Sequence, residues 1–455
     1  MTEKVMPTGA NNKDSLDFNA EFTSAYDLLE NSNNNVFITG KAGTGKSTLL
    51  NYFRKNTLKN VAILAPTGVA AINVQGQTIH SFFGFKPDIT PDSIATLRIT
   101  KQKREMYKGL DTIVIDEISM VRADLLDCVN KFLKMYGRDA TQPFGGVQVA
   151  FFGDMFQLPP VVSYHDRELF TQHYKSPYFF HSHAYAEVRQ NVECDDFEYI
   201  ELSKVYRQTD EYFISMLNSI RDNSINSEQL DALNENFQPD FTPTDGDFFI
   251  YLTTTNKKAD MINQSCLKRL HTEDQTFEGE VDGLFAERNL PTHNELELKL
   301  HAQIMLLNND PMGRWFNGSL GKIISFHGDE SNASIRVELA TGAIVSVKPF
   351  TWEMFKFYYD EESSKLISES VGSYTQFPLR LAWAVTIHKS QGKSFDRVIV
   401  DTTGGTFAHG QLYVALTRCR SLEGLILKNK IVKKDIIVDH NITEFMKQHG
   451  PQVAS

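Results

Sequence analysis

Apolar residues in the first half of the chain are grouped into short continuous runs. These runs occupy Val36 to Thr39, Val61 to Ala65, Thr112 to Ile115 and Gln148 to Phe152. Continuous runs of this length are typical of strands that are buried on both faces of a parallel sheet. Helical segments such as Ala123 to Tyr136 lie between them, so the pattern predicts an α/β unit.

A second α/β unit is predicted further along the chain. The strand-like segment Phe197 to Leu202 leads into it, and a strand at Phe248 to Leu252 is followed by a helix at Asn256 to Leu270. The same pattern returns with a strand at Asp396 to Asp401 and a helix at Gly410 to Arg420. The chain is therefore expected to contain two α/β units, the second of which is interrupted.

The interruption, from about residue 275 to residue 370, has a different pattern of short β-like runs and turns. The runs are Gln303 to Leu307, Gly321 to Phe326, Ser334 to Leu339 and Ala343 to Val347. Turn pairs such as Asn317-Gly318 and Thr341-Gly342 lie between them and favour hairpins. We expect an inserted small antiparallel barrel here.

Composition places the chain among ordinary globular proteins. It has 455 residues, of which 41% are hydrophobic and 23% are charged, a balance that allows several buried cores. No apolar run approaches the roughly 20 residues of a membrane span, and residues 1–19 lack the apolar region of a signal peptide. A cytoplasmic protein without membrane contact is expected, nucleoid-associated if the source is bacterial, with no targeting segment for a nucleus or mitochondrion.

Cysteine usage and net charge exclude only a few kinds of site and partner. The four cysteines, Cys128, Cys194, Cys266 and Cys419, form no C-x-x-C pair, so reduced structural thiols are expected and not a zinc site or a disulfide framework. A net charge of −11 argues mildly against a nucleic-acid partner, although a local groove can still be positive.

The strongest chemical signal is the segment Gly40 to Ser47, which reads Gly-Lys-Ala-Gly-Thr-Gly-Lys-Ser. It matches G-x-x-x-x-G-K-[ST] and lies between a predicted strand and a predicted helix, as that motif requires. Backbone N–H groups that are free at the helix start, together with the helix dipole, favour phosphate there. Lys46 would reach the β- and γ-phosphates and the Ser47 hydroxyl would hold Mg²⁺.

Polar residues follow the next predicted strands at their carboxyl ends, where α/β sheets place ligands. Asp116 is positioned to hold Mg²⁺ through water, and Glu117 to accept a proton from attacking water. Gln157 follows the fourth strand, and a simple Gly-Pro turn would not explain a glutamine there. Arg207 either stabilises charge on a transferring phosphoryl group or forms a surface salt bridge.

Two further segments carry candidate contacts to a nucleic acid. Pro66, Thr67 and Gly68 form a loop at the carboxyl end of a strand. Residues 77–85 are aromatic and polar, and their three phenylalanines fit either a core or a platform for bases.

In series, these motifs resemble those of the superfamily-one helicases, type B, and in particular the PIF-one family of DNA helicases related to RecD. The match covers most of the chain and runs, in order, through Gly40 to Ser47, Ala65 to Ala71, Asp116-Glu117, Gly153 to Pro160, Tyr206-Arg207-Gln208, Ala384 to Gly392 and Tyr413 to Arg418. The segment Pro143 to Gln148 is similar to the signature region of that family.

The resemblance implies an α/β fold with two RecA-like P-loop motor domains with parallel sheets, an inserted small β-barrel of Src-homology type and a small wedge element. The first motor domain would span residues 1–200, with the wedge at about 82–109. The second would comprise 201–274 and 371–455, and the barrel 275–370.

The resemblance also implies ATP and Mg²⁺ as cofactors, bound between the motor domains. Catalytic roles fall on Lys46, Glu117, Gln157, Arg207 and Arg418, of which the two arginines would be arginine fingers. Cofactor-binding residues would be Gly40, Ala42, Gly43, Thr44, Gly45, Lys46, Ser47, Thr48, Gln391 and Gly392, with Ser47 and Asp116 at the metal. The family usually has an adenine-reading glutamine within the segment that corresponds to residues 16–25; this chain has none there, and Asn19 is the candidate substitute.

By the same resemblance, DNA contacts would come from Pro66, Thr67, Gly68, His80, Phe82, His388, Lys389 and Ser390. The protein would move 5′ to 3′ as a monomer on single-stranded DNA and unwind 5′-tailed duplex or G-quadruplex DNA, in replication, repair, recombination or telomere-type maintenance. Two alternatives stay open. One is an ATPase that translocates on RNA or strips proteins without unwinding, and the other is a DNA-binding module with an inactive ATPase.

Overall fold

The computed structural model describes residues 18–162, 166–190, 197–208, 210–244, 246–285, 290–328, 332–360, 362–363, 365–403, 405–406 and 408–449. The helices are α1 (Ala20–Asn31), α2 (Lys46–Asn56), α3 (Gly68–Asn73), α4 (Ile79–Phe83), α5 (Lys101–Gly109), α6 (Ala123–Tyr136), α7 (Arg167–His173), α8 (His183–Gln190), α9 (Glu211–Arg221), α10 (Ser227–Asn234), α11 (Asn256–Arg269), α12 (Gln411–Leu416) and α13 (His440–His449). Within these ranges no helix combines the length and apolar character needed to cross a membrane.

The strands group into parallel and antiparallel sheets. They are β1 (Asn35–Gly40), β2 (Val61–Ala65), β3 (Gln77–Thr78), β4 (Thr112–Ile115), β5 (Gln148–Phe152), β6 (Phe197–Leu202), β7 (Ile250–Thr253), β8 (Asp274–Glu278), β9 (Glu280–Gly283), β10 (Glu295–Lys299), β11 (Gln303–Leu306), β12 (Leu320–His327), β13 (Ser334–Leu339), β14 (Ile344–Val347), β15 (Phe350–Asp360), β16 (Lys365–Gln376), β17 (Leu379–Leu381), β18 (Ala384–Thr386), β19 (Val398–Asp401) and β20 (Leu425–Leu427).

The first parallel sheet has the order β3-β2-β4-β5-β1-β6. The four continuous apolar runs of the first half form its inner strands, as predicted. Both faces are covered, because Ile63 and Val114 belong to one hydrophobic cluster while their neighbours Leu64 and Ile115 belong to another. The edge strand β6 pairs with β1, so the segment that was expected to lead into the second unit belongs to this sheet.

The second parallel sheet has the order β18-β7-β19-β20. The predicted strands at 248–252 and 396–401 are present as β7 and β19, each starting two residues later than expected. The predicted helix at 410–420 is wrong at its end, because α12 stops at Leu416. Arg418 lies just beyond it and donates to the carbonyl oxygen of Val414 at 2.9 Å, which helps to close the last turn.

Between these elements, residues 274–381 form antiparallel sheets that we call the antiparallel region. A five-stranded sheet has the order β14-β13-β12-β11-β17, and a three-stranded sheet has the order β15-β16-β9. The four predicted short runs are present as β11 to β14. The long hairpin β15–β16 was not predicted. A register shift at Met354/Phe355 changes which face of β15 is buried, and this hides the alternation that a sequence pattern would show.

The hairpin β15–β16 connects the antiparallel region to the first parallel sheet. Phe357 packs edge to face against Phe82 with ring centroids 5.8 Å apart, and the backbone N–H of Leu366 donates to Asn60 at 3.0 Å. A Cβ at Gly109 would lie 2.3 Å from the ring of Tyr359, so a side chain at position 109 would force the two apart. The hairpin therefore docks on the segment where a wedge was expected.

The described cysteines agree with the expectation of reduced structural thiols. Cys128, Cys266 and Cys419 are free, whereas Cys194 lies outside the described residues. Burial raises the pKa of Cys128 and of Cys419 to about 12, so neither thiol forms the reactive thiolate at neutral pH.

Candidate functional site

A cavity of about 740 Å³ opens at the carboxyl end of β1 and reaches residues that follow β4, β5, β6, β18 and α12. We call it the nucleotide cavity. Residues from both parallel sheets line it, and they include most of the predicted site. The complete lining consists of Asn19, Phe22, Ala42, Gly43, Thr44, Gly45, Lys46, Ser47, Thr48, Glu117, Gln157, Leu202, Tyr206, Arg207, Gly392, Ser394, Arg418 and Arg420. The predicted residues Gly40, Asp116 and Gln391 lie beside this lining and not in it.

The glycine-rich loop is built to hold an anion. The helix α2 starts at Lys46 after Gly45, whose φ of 91° is left-handed, and no side chain caps the first turn. The free N–H groups of that turn are therefore available to phosphate oxygens. The Lys46 ammonium donates to the carbonyl oxygens of Gly40 at 2.6 Å and Lys41 at 3.1 Å, so it is held across the loop.

The loop is also in tight contact with the segment after β6. The N–H of Tyr206 donates to the carbonyl oxygen of Gly43 at 2.9 Å. Gly43 has a φ of 81°, and a Cβ at this position would lie only 2.5 Å from the Cβ of Arg207. Only glycine fits this approach, which brings Arg207 to the phosphate loop.

Asp116 and Glu117 follow β4 directly. Desolvation in the cleft raises the pKa of both carboxyls, and for Glu117 the neighbouring Asp116 raises it further. Glu117 also has a left-handed φ of 52°, which is rare for a residue with a side chain and is often found at functional sites. Its position and its raised pKa suit a group that accepts a proton.

A chain of hydrogen bonds crosses the cleft from Glu117. The side-chain amide of Gln391 donates to Glu117 Oε2 at 3.1 Å and to Gln157 Oε1 at 3.4 Å. Gln157 in turn donates to Asp154 at 3.2 Å, and Asp154 accepts from Arg221 at 3.3 Å. These hydrogen bonds therefore link groups after β4 and β5 to groups after β18 and in α9.

The two predicted arginine fingers reach the nucleotide cavity from different elements, Arg207 from the segment after β6 and Arg418 from the segment after α12. Arg207 donates to the carbonyl oxygen of Gly392 at 2.9 Å. Arg418 is 1% exposed and donates to the carbonyl oxygens of Val414, Ser390 and Lys393. Burial lowers the pKa of Arg207 to about 10 and, together with the nearby Arg207, that of Arg418 to about 9. Both therefore stay cationic at neutral pH.

The structure adds site residues that sequence reasoning missed. The hydroxyl of Tyr413 accepts a hydrogen bond from the backbone N–H of Ala42 at 3.4 Å, a direct link between α12 and the phosphate loop. Tyr206 and Arg420 line the nucleotide cavity. Tyr206 and Tyr413 fall inside motifs that were recognised, whereas Arg221 in α9 carried no signal of its own.

Asn19 lies at the nucleotide cavity, but it also has a structural task. Its side-chain oxygen accepts from the N–H of Phe22 at 2.8 Å and caps α1. With that oxygen engaged, the amide N–H₂ is the group that is left to contact a base. Its role in reading adenine stays a prediction.

The donor set beside the loop fits a magnesium ion. Ser47 is an exposed hydroxyl in the first turn of α2, and Asp116 supplies a carboxylate. Hydroxyl and carboxylate oxygens are the hard ligands that Mg²⁺ takes, together with substrate phosphates and water.

The predicted DNA contacts divide into accessible and buried groups. Thr67 and Lys389 are exposed, and Pro66, Gly68, His80 and His388 are half-buried. Ser390 is fully buried, and its carbonyl oxygen accepts a hydrogen bond from Arg418. It therefore supports the nucleotide cavity and is not accessible to DNA.

Phe82 corrects one expectation. It is 3% exposed and packs edge to face on Phe83 and Tyr107, with Phe85 also buried nearby. Because its ring is enclosed by other rings, it is not placed to stack on a base. Of the two interpretations offered for this aromatic segment, the core describes all three phenylalanines.

Comparisons with known proteins agree with this geometry. Residues 17–231 match the family model of the PIF1-like helicase, and residues 381–426 that of the UvrD-like helicase C-terminal domain. A protein of Bdellovibrio bacteriovorus named ATP-dependent DNA helicase Pif1 is 32% identical, over 95% of this chain and 92% of its own.

Solved structures give the same result. Unliganded Pif1 from Bacteroides sp. is 35% identical with a TM-score of 0.85, covering 96% of this chain and 98% of that one. Bacteroides Pif1 bound to single-stranded DNA is 36% identical, covering 95% and 97%, but its TM-score is 0.66.

Proposed function

This chain belongs to the PIF1-like helicase family and is an ATP-dependent DNA helicase, and we propose that it moves 5′ to 3′ along single-stranded DNA and unwinds 5′-tailed duplexes. The observation that supports an ATP-driven motor is the nucleotide cavity, to which both parallel sheets contribute charged groups, whereas the direction of movement rests on the family resemblance. G-quadruplex DNA as a substrate, action as a monomer and a task in DNA repair or recombination rest on the family resemblance and belong to the same proposal.

Closure of the cleft follows from the two arginines. Arg207 and Arg418 now donate to backbone carbonyl oxygens, which are weak partners for a guanidinium. The γ-phosphate of ATP offers a full anionic partner, so ATP favours the arrangement in which both arginines face the loop. Hydrolysis removes that partner. Each cycle then moves the unit built on one parallel sheet relative to the unit built on the other, along the DNA strand.

The chemistry falls on groups that both parallel sheets bring to the nucleotide cavity. Glu117 takes a proton from the attacking water, and Lys46 and the two arginines stabilise the charge that develops on the phosphoryl oxygens. Mg²⁺ held by Ser47 and Asp116 would neutralise part of the phosphate charge. Gln157 and Gln391 connect Glu117 to Asp154, so the proton acceptor is oriented by groups of both sheets.

DNA would lie across Thr67, His80 and Lys389, where contacts come mostly from backbone groups, hydroxyls and few cations. The docked hairpin β15–β16 would have to adjust to a bound strand or fork. One observation supports a change of arrangement on DNA binding: the chain superposes better on the unliganded neighbour than on the DNA-bound one.

Strand-displacement assays test the proposal. Duplexes with a 5′ single-stranded tail should be unwound in the presence of ATP and Mg²⁺, whereas otherwise identical duplexes with a 3′ tail should not. The Lys46→Ala variant is the control, since it removes the cation from the loop. Unwinding of RNA alone, or hydrolysis without any strand separation, would favour the translocating ATPase and contradict the proposal.

A further inference from the structure

A second large cavity lies at the junction of the second parallel sheet and the antiparallel region. Its volume is about 760 Å³, close to that of the nucleotide cavity. The helix α11 separates it from the smaller cavity that contains Lys389. Ala259 and Asn263 of α11 line the Lys389 side, whereas Met261 and Arg269 line this one. We call it the aromatic cavity.

Aromatic side chains contribute to its walls. Phe248, Phe249, Tyr251 and Trp383 all line it and are partly exposed, although Phe248 and Trp383 also pack against the neighbouring hydrophobic clusters. Half-exposed rings that converge on a cavity form surfaces on which planar bases stack without regard to sequence. Stacking on bases was also expected of Phe82, but Phe82 is buried and cannot provide it.

Cations accompany the rings. Lys258, Arg269 and Lys322 line the aromatic cavity, and Asp401, the carboxylate among its described lining residues, is paired with Lys258 at 2.7 Å. Within the described part of the chain, Arg269 and Lys322 have no carboxylate partner within 4 Å; Arg269 donates instead to the thiol of Cys266. In a protein of net charge −11, such a cavity is suited to an anionic ligand.

Backbone strain is a separate observation at the same place. Six described residues other than glycine have a positive φ, and Glu117 of the nucleotide cavity is one of them. Two more, Phe248 at 52° and His301 at 69°, line the aromatic cavity. Strained residues of this kind persist at ligand sites because the surrounding structure holds them there.

We propose that the aromatic cavity binds single-stranded DNA, taking one or two nucleotide units with bases on the rings and phosphates on Arg269 and Lys322. Its occupant would be the strand that unwinding releases, because the strand on which the protein moves lies on the other side of α11. This identity of the strand rests on the proposed function. Keeping the two strands on opposite faces of α11 opposes their reannealing behind the fork.

Photo-crosslinking identifies the strand directly. A fork carries 5-iodouracil in one tail at a time, it is bound to the wild-type protein without ATP, and crosslinked peptides are mapped. We expect the 3′ tail, which belongs to the released strand, to crosslink to the peptides with residues 248–251 or Trp383. Crosslinks from the 5′ tail at these residues, or none from either tail, would overturn the proposal. Because binding alone is measured, this result is obtained whether or not the strand-displacement assay shows the proposed direction of movement.

A charge variant with a matched control gives the second readout. Arg269→Glu should reduce crosslinking of the 3′ tail several-fold and slow the unwinding of forks more than that of duplexes with only a 5′ tail. The neighbouring Lys268 is exposed but does not line the cavity, so Lys268→Glu should behave like the wild type. Both variants should hydrolyse ATP normally on oligothymidine, which verifies their fold. Equal effects of the two substitutions would show that only general surface charge matters and would contradict the site.

Discussion

Arg221 in α9 and Asp154 after β5 form a buried ion pair, with Nη2 and Oδ1 3.3 Å apart. Arg221 is 6% exposed and Asp154 1% exposed, and the guanidinium also lies 4.1 Å from the centre of the Phe156 ring. Burial lowers the pKa of Arg221, but the combined attraction of Asp154, Tyr413, Glu201 and Asp222 more than offsets this and the pKa is raised. Because Asp154 also accepts from Gln157, the pair anchors the hydrogen-bond chain that reaches Glu117.

Removing one partner of this pair should cost stability. Arg221→Met leaves the Asp154 carboxylate buried without its cation, which we expect to lower the free energy of unfolding by about 3–5 kcal/mol. The double variant Arg221→Met with Asp154→Leu should recover part of that loss, since it removes the unpaired charge, yet its DNA-stimulated ATPase should stay low because Gln157 has lost its anchor. Urea denaturation and ATPase assays check both statements. A single variant as stable as the wild type would contradict the role of the pair.

Glu117 should act as the proton acceptor and not as a structural acid. Glu117→Gln retains the shape and a hydrogen bond to Gln391 but cannot accept a proton, so we expect turnover to fall by about 10²-fold or more. Binding of ATP, measured with a fluorescent analogue, should survive. Near-normal DNA-stimulated hydrolysis by this variant would assign Glu117 a different role.

Arg418 should act across the cleft in the hydrolysis step. We expect Arg418→Ala to lower hydrolysis by about 10³-fold, while DNA binding without nucleotide changes little. Arg418→Lys should restore little, since a point charge cannot reproduce the planar fork of the guanidinium.

Arg420 provides a matched control for Arg418. It lines the same cavity but is exposed and paired with Asp396 at 2.7 Å. Arg420→Ala should therefore affect hydrolysis far less, because that contact is screened by solvent. Equal losses in Arg418→Ala and Arg420→Ala would mean that general positive charge in the cavity matters, and not one positioned finger.

Gly43 should be sensitive to the addition of a single methyl group. Gly43→Ala places a Cβ about 2.5 Å from that of Arg207, so the loop or the arginine must move, and both nucleotide binding and hydrolysis should be lost. Gly342→Ala is the control, since Gly342 has a similar φ of 82° but nothing within 4 Å of its Cβ position. It should cost only about 1 kcal/mol of stability. Isothermal titration with a non-hydrolysable analogue separates the two.

DNA affinity should depend only moderately on salt, despite the net charge of −11. If about three to five phosphates are neutralised in the groove near Lys389, the slope of log affinity against log salt should lie near −2 to −4. Fluorescent oligothymidine titrated at several salt concentrations measures it. A much steeper slope would reveal a basic face beyond the groove described above, and no binding at low salt would contradict a DNA helicase.

Local sequence was sufficient for much of the fold and for the catalytic groups. The continuous apolar runs predicted β2, β4 and β5 because a strand buried on both faces has no polar side to interrupt it. The motif from Gly40 to Ser47 predicted the phosphate loop since its glycines, helix start and lysine act within a few residues of one another.

Other features depend on partners that are distant along the chain. The pairing of Arg221 with Asp154, the hairpin β15–β16 on the first parallel sheet and the aromatic cavity all join segments that no local pattern relates. Phe82 shows the same limit: an aromatic residue in a polar segment fits core or surface equally, and only the rings around it decided for the core. Spacing along a chain reports local periodicity, whereas burial and pairing between distant segments are set by tertiary packing.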